Sequence, residues 1–159
     1  MTEQFIQTPL GTLRLCGSGE GVERMDFVEA DSSAGVQELP WAGGGKVVCV
    51  PSGTDFQRAV WTAMAEIPHG ETATYGELAA RIGRPGSSRA VGSAVRANPL
   101  AVLLPCHRVL PAGGGLGGFR WGLERKRQFL DWEAHGRDVL QELCGVPASR
   151  FQFCLDHRG

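Results

Sequence analysis

From Phe5 to Val28 the chain reads FIQTPLGTLRLCGSGEGVERMDFV, an alternation of apolar and polar positions interrupted at Pro9-Leu10-Gly11 and Gly17-Ser18-Gly19. A period of two broken by turn residues predicts two or three short antiparallel strands. The stretch 31–53, DSSAGVQELPWAGGGKVVCVPSG, is rich in Gly, Ser and Pro around one strand-like run, KVVCV, and reads as a connection and subdomain boundary. At Thr54 the period lengthens. Thr54 and Gln57 make a capping box, and Phe56, Val60, Met64 and Ile67 follow at helical spacing until Pro68-His69-Gly70 ends the pattern.

A second capping box, Thr74 with Glu77, opens a short helix that Gly83 and Pro85 close; Ser87 or Ser88 then caps another helix, which stops before Asn98-Pro99. Two short helices about a tight Gly/Pro turn make a helix-turn-helix unit. On the second of them Arg89, Ser93 and Arg96 share one face, while Val91, Ala94 and Val95 turn toward the core. Ala90, Gly92 and Ala97 leave little side chain between this backbone and a ligand. The run Ala101 to Leu104 reads as a buried strand meeting Pro105. After the Gly-rich loop GGGLGG comes a last helix, near Leu123 to Ala134, and the tail 136–159 has weak pattern and receives no role. The expected fold is α+β: a small N-terminal antiparallel β-sheet subdomain, residues 1–50, and a mainly helical domain, residues 54–135, that carries the helix-turn-helix.

Composition narrows the class. A chain of 159 residues with 42% hydrophobic and 21% charged residues is an ordinary globular protein, and no apolar run approaches the roughly eighteen residues of a membrane span. The N-terminus MTEQFIQTPLG lacks the basic and apolar regions of a signal peptide, so a cytoplasmic, nucleoid-associated location is expected. The five cysteines, Cys16, Cys49, Cys106, Cys144 and Cys154, are odd in number and form no CxxC pair, which speaks against a disulfide framework or a zinc ribbon. Cys144 and Cys154, with His157 close by, read as plain free thiols and not as a metal site, so no metal is expected. The net charge of −1 hides an asymmetry: Arg81 to Arg127 holds nine basic residues against one acid, whereas Met1 to Val60 holds four basic and eight acidic ones. Such a basic segment suits phosphates, so DNA enters as a candidate partner.

In LLPCHRVL a thiol, an imidazole and a guanidinium stand side by side after an apolar run. Burial normally raises a thiol pKa and leaves it inert. An imidazole that can take the proton, oriented in turn by an acid, makes such a thiol a nucleophile. His107 is the candidate base and Glu133, on the last helix, the candidate third member. Neighbours in an extended strand point to opposite faces, so His107 serves Cys106 only if the backbone bends after Pro105 or a water bridges them.

With these motifs in place, the run Gly53 to Glu133 resembles the active-site domain of the O6-alkylguanine-DNA alkyltransferases, also called methylated-DNA–protein-cysteine methyltransferases. The resemblance rests on GTDFQRAVW, IPHGETATYGELA, SSRAVGSAVRANP, PCHRV and GGFRWGLERKRQFLDWE in that order, and TPLGTLRL is similar to the start of that family's β subdomain. It implies that Cys106 accepts the alkyl group from O6 of a damaged guanine in one irreversible turnover, with His107 as base through a water, Glu133 orienting it, and Asn98 holding the backbone. It further implies that Tyr75 and Arg89 eject the nucleotide, the tyrosine crowding the phosphate and the arginine filling the stack. Ser87, Ser88, Ser93 and Arg96 would touch DNA in the minor groove, and Pro105, Val109, Phe119, Arg120 and Trp121 would border the alkylguanine pocket. The flipped base explains the depth such a site needs. The thiolate displaces at carbon without a cofactor, and the protein is expected to act as a monomer.

The sequence departs from the family pattern in three places. VQELPWAGG is only a remnant of the helix and aromatic-Ala-Gly element that usually precedes the core; Phe119 stands where tyrosine is usual; Trp121 stands where some members have glycine, either bordering the pocket and disfavouring large adducts or packing under the last helix. Two other classes compete: a non-catalytic sensor of alkylated guanine, in which another residue commonly replaces the cysteine, and a Cys-His hydrolase, which needs an oxyanion hole and water access. Alkyl preference and activity on O4-alkylthymine stay open at this level.

Overall fold

The computed structural model describes residues 2–19, 21–29 and 47–153. The chain divides into two compact units, one drawn from Met1–Ser52, Pro99–Leu103 and Asp138–Gly159, the other from Gly53–Asn98 and Leu104–Arg137.

In the first unit β1 (Thr2–Thr8), β2 (Gly11–Ser18) and β3 (Gly21–Val28) form the antiparallel meander expected from the alternation, with Ile6, Leu13, Leu15 and Met25 buried on its inner side. A bulge between Cys16 and Gly17 shifts the register before the second turn. KVVCV contributes β4 (Val47–Cys49), which pairs parallel with β3. The remnant VQELPWAGG, like Cys154 and His157, lies outside the described residues.

The tail has more structure than its sequence pattern suggests. Asp138 caps α5 (Val139–Cys144) through its carboxylate, α5 packs against β1, and β7 (Phe151–Phe153) joins β4 in parallel, giving the strand order β1-β2-β3-β4-β7. A six-residue helix and a three-residue parallel strand carry little local periodicity, so only tertiary pairing reveals them.

The run Ala101 to Leu104 is a correction: Ala101, Val102 and Leu104 are buried, but the run is not a strand. Leu103 N–H donates to the Ala101 carbonyl at 2.7 Å, a γ-turn about Val102, whose φ is +69°. A β-branched residue at positive φ is strained, and the strand reading fails because a short apolar run has the same pattern in a buried turn.

The second unit begins with α1 (Asp55–Ala65), closed by the predicted capping box in which Thr54 accepts from Gln57 N–H and the Gln57 side chain accepts from Thr54 N–H. The short strand β5 (Ala73–Thr74) leads into α2 (Tyr75–Arg81), where Thr74 accepts from Glu77 N–H. Helix α3 (Ser88–Arg96) follows; Ser87 occupies its cap position, but neither Ser87 nor Ser88 caps it through a hydroxyl. Trp61 of α1 donates its indole N–H to the Ala94 carbonyl at 2.9 Å and so fixes α3 from its buried side. A 3₁₀ turn at Cys106–Arg108 runs into β6 (Val109–Leu110), which pairs parallel with β5, and α4 (Leu123–Ala134) closes the unit. Among the described residues no helix is long and apolar enough to cross a membrane.

Candidate active site

The backbone does bend where the chemistry requires it. Pro105 adopts φ −80° and ψ 67°, and Cys106 N–H donates back to the Leu104 carbonyl at 2.8 Å, an inverse γ-turn. The 3₁₀ turn that follows removes the strand alternation which would have sent Cys106 and His107 to opposite faces. Asn98 donates its side-chain amide to the Leu104 carbonyl at 2.8 Å, and Arg120 donates to the Asn98 carbonyl at 3.2 Å. The turn is thereby tied down at Leu104, the residue before Pro105.

Cys106 is 4% exposed and His107 fully buried. Burial pushes the Cys106 thiol up to about 11, although a hydrogen bond with Asn98 and the nearby Lys126 ammonium pull the other way. A thiol with that value is protonated at neutral pH, so a reaction at sulfur needs a base. His107 is held below the ordinary histidine value chiefly by burial, against the pull of Glu133, and is neutral. Its Nε2 lies 3.0 Å from Oε2 of Glu133, off the line of a well-aligned hydrogen bond, and its buried Nδ1 has no hydrogen-bond partner. Phe129 meets the imidazole edge to face at 5.4 Å, which fixes the ring plane.

Glu133 is itself buried, which would raise its carboxyl, but hydrogen bonds from Arg108 and His107 bring it down to about 2. Arg108 grips it bidentately, Nε to Oε1 at 2.9 Å and Nη2 to Oε2 at 2.6 Å, and sends Nη1 to the Ile67 carbonyl at 2.8 Å. Of the expected thiol, base and carboxylate, the structure brings the base and the carboxylate together, His107 Nε2 to Glu133 Oε2, with the thiol one residue before the base; Arg108, which holds that carboxylate, was missed because an arginine beside a histidine reads as surface charge.

The helix-turn-helix residues gather at a separate, open feature. A cleft of about 310 Å³ is lined by Tyr75, Ser88, Arg89, Gly92, Arg96, Gly117 and Gly118. Arg89, Ser93 and Arg96 are exposed together on α3, while Ser87 at the cap is partly covered. Tyr75 is half-buried, and burial raises its phenol. At Gly92 a Cβ would sit in ordinary contact, 3.8 Å from the Tyr75 ring, so this floor of the cleft has room for little more than a methyl group.

The residues expected to border the alkylguanine pocket fall differently. Pro105 and Val109 are buried beside the turn, and neither they nor Phe119, Arg120 and Trp121 line the open cleft. Trp121 is 7% exposed, packed edge to face on Phe119 at 5.5 Å and covered by the Arg120 guanidinium at 5.4 Å.

Gly117 and Gly118 were not expected to line the cleft, and neither was the residue that holds them. Lys126 is fully buried, and its ammonium donates to the carbonyls of Val109 (2.9 Å), Leu116 (2.6 Å) and Gly118 (3.2 Å), so a charge without a carboxylate is satisfied by main chain. One signal was available: Lys126, Phe129 and Glu133 stand at i, i+3 and i+7 of α4, on the face that turns inward. Among the described residues no group of three or more His, Cys, Asp or Glu could hold a metal ion.

Known proteins place the chain. Residues 55–135 match the family model for the 6-O-methylguanine DNA methyltransferase, DNA binding domain. The methylated-DNA–protein-cysteine methyltransferase of Methanosarcina acetivorans is 40% identical over 149 residues, 81% of this chain and 96% of the relative. That of Haemophilus influenzae is 38% identical over 150 residues, 81% of this chain and 84% of the relative. A crystal structure of Mycobacterium tuberculosis OGT in complex with DNA superposes with a TM-score of 0.73 at 36% identity, covering 85% of this chain and 94% of that one.

Proposed function

The chain belongs to the methylated-DNA–protein-cysteine methyltransferases, and from that premise we propose that Cys106 is its alkyl acceptor. The protein repairs DNA by direct reversal, moving the alkyl group of O6-alkylguanine irreversibly onto its own cysteine in a single turnover. The observation that carries the assignment to Cys106 is the buried turn, in which a protonated thiol adjoins a neutral imidazole with an unpartnered Nδ1, backed by an ionised carboxylate.

In this reading the thiol proton passes through a water to Nδ1 of His107 as Sγ attacks the alkyl carbon. The carbon–O6 bond breaks, its electron pair stays with the guanine, and the guanine then takes up a proton. Overall the base exchanges an alkyl group for hydrogen and the sulfur does the reverse. Glu133 at Nε2 steadies the imidazolium formed along the way, the part a carboxylate plays behind any histidine base. Asn98 holds the turn and donates a hydrogen bond that favours the thiolate.

A guanine stacked in a duplex cannot reach a sulfur that is 4% exposed, so the nucleotide is extruded. Tyr75 and Arg89 on the cleft wall are the groups to crowd its phosphate and fill its place, with Ser87, Ser88, Ser93 and Arg96 along the backbone contact. The small residues of α3 suit the minor groove, and the basic segment supplies the phosphate contacts. A monomer in the cytoplasm, at the nucleoid, completes the reading. The sensor alternative is disfavoured by the thiol itself, which is present and backed by an intact base.

Intact mass spectrometry after incubation with a duplex holding one O6-methylguanine, followed by peptide mapping, tests the assignment. One added methyl per protein on the Cys106 peptide is expected. Tight binding to that duplex with no mass change would instead establish the sensor reading.

A further inference from the structure

We infer that Arg108 is a positioning residue of the transfer reaction: its two-pronged hold keeps the Glu133 carboxylate aimed at His107, which places the imidazole proton on Nε2 and leaves the Nδ1 lone pair as the base. This rests on the reading that His107 receives the thiol proton.

The geometry is specific. Glu133 Oε2 is shared between Arg108 Nη2 at 2.6 Å and His107 Nε2 at 3.0 Å, and Oε1 is taken by Arg108 Nε at 2.9 Å. A carboxylate gripped by a guanidinium fork can only accept, so the imidazole nitrogen facing it must be the one that carries hydrogen. The opposite nitrogen, Nδ1, is buried and without a partner, which is the state a base needs before reaction. The third guanidinium contact, to the Ile67 carbonyl at 2.8 Å, anchors the fork to the end of the α1 segment, so its direction does not depend on Glu133. An Arg is suited to this and a Lys is not, because only the planar fork satisfies both oxygens and a carbonyl at once.

The charged and titratable groups around His107 are Glu133 and Lys126 from α4 and Arg108 and Cys106 from its own turn. Removing the guanidinium leaves Lys126 in place but strips one cation from beside the ring and uncovers the Glu133 charge. Both changes favour the imidazolium, so His107 would be protonated, and useless as a base, at a higher pH than in the wild type. A residue that merely tied α4 to the turn would lower the rate alike at every pH.

The experiment is single-turnover methyl transfer from an O6-methylguanine duplex for wild type, Arg108→Gln and Arg108→Lys between about pH 5 and 9, beside ¹⁵N NMR of the His107 ring in the unreacted proteins. The acid limb of Arg108→Gln should move up by about one unit, so that its rate relative to the wild type falls further toward pH 5 than at pH 8, approaching but not exceeding about tenfold at the acid extreme. Arg108→Lys should keep the wild-type acid limb and lose only overall rate. In the wild type the ring should hold its proton on Nε2, and in Arg108→Gln that preference should be lost. Equal slowing at all pH values with an unchanged tautomer would overturn the inference. So would an Nδ1–H tautomer in the wild type, a result that does not require any variant to fold. If the wild type accepted no methyl group, the function reading would fall, while the ring spectrum would still decide what Arg108 does.

Discussion

The Cys106 turn and the outer face of α3 belong to the same unit and are built on opposite principles. At the turn, Cys106, His107 and Glu133 are each no more than 5% exposed, both Glu133 oxygens are held by Arg108, and the buried Nδ1 of His107 has no hydrogen-bond partner. On α3, Arg89, Ser93 and Arg96 stand in solvent, around a cleft floored by glycine. Under the proposed function the first would store reactivity where water and stray electrophiles do not reach it, and the second would recognise a large polyanion whose contacts need no such enclosure. Chemistry and recognition should therefore come apart under mutation.

The sharpest separation is expected from Cys106→Ala, which should abolish transfer, read as loss of the methylated peptide, while affinity for duplex in a gel-shift titration stays within about twofold. Loss of binding along with transfer would show that the two regions are not separable. His107→Ala should come next, slowing single-turnover transfer by roughly 10²–10⁴ as a general base is lost, again with binding intact. On the open side, Arg89→Ala should slow repair of a duplex on the order of tenfold, the scale of one lost interaction of 1.4 kcal/mol, yet spare the free base. Equal slowing on both substrates would deny it a part in extrusion. The smallest effect belongs to Arg96→Ala, for which the dependence of log affinity on log salt should flatten by about one, with no change in transfer at saturating DNA. An unaltered salt slope would remove Arg96 from the phosphate contacts.

The two regions also differ in how far the sequence discloses them. The α3 face was legible, because helical spacing sorts Arg89, Ser93 and Arg96 from Val91, Ala94 and Val95 without any tertiary knowledge. Cys106, His107 and Glu133 were legible as a set through the order of motifs, and the ends of α1 and α4 through caps and glycines. What the sequence concealed depends on contacts between distant segments. The γ-turns at Val102 and Pro105 look like a strand because apolar content reports burial and not backbone direction. β7 exists only by pairing with β4, a hundred residues earlier in round numbers. Arg108 and Lys126 read as surface charge because only the fold shows that one faces a carboxylate and the other three carbonyls.

Lys126 has a consequence for how the loop can vary. Its ammonium holds the main-chain carbonyls of Val109, Leu116 and Gly118, so the clasp senses the path of the backbone and is blind to spelling. Leu116 could be exchanged for another residue without disturbing it. Gly117 could not, since its φ is +69° and a Cβ would come within 3.0 Å of Pro111. The loop that brings Gly117 and Gly118 to the cleft can thus change its side chain at Leu116 while its path is inherited from one lysine and one glycine.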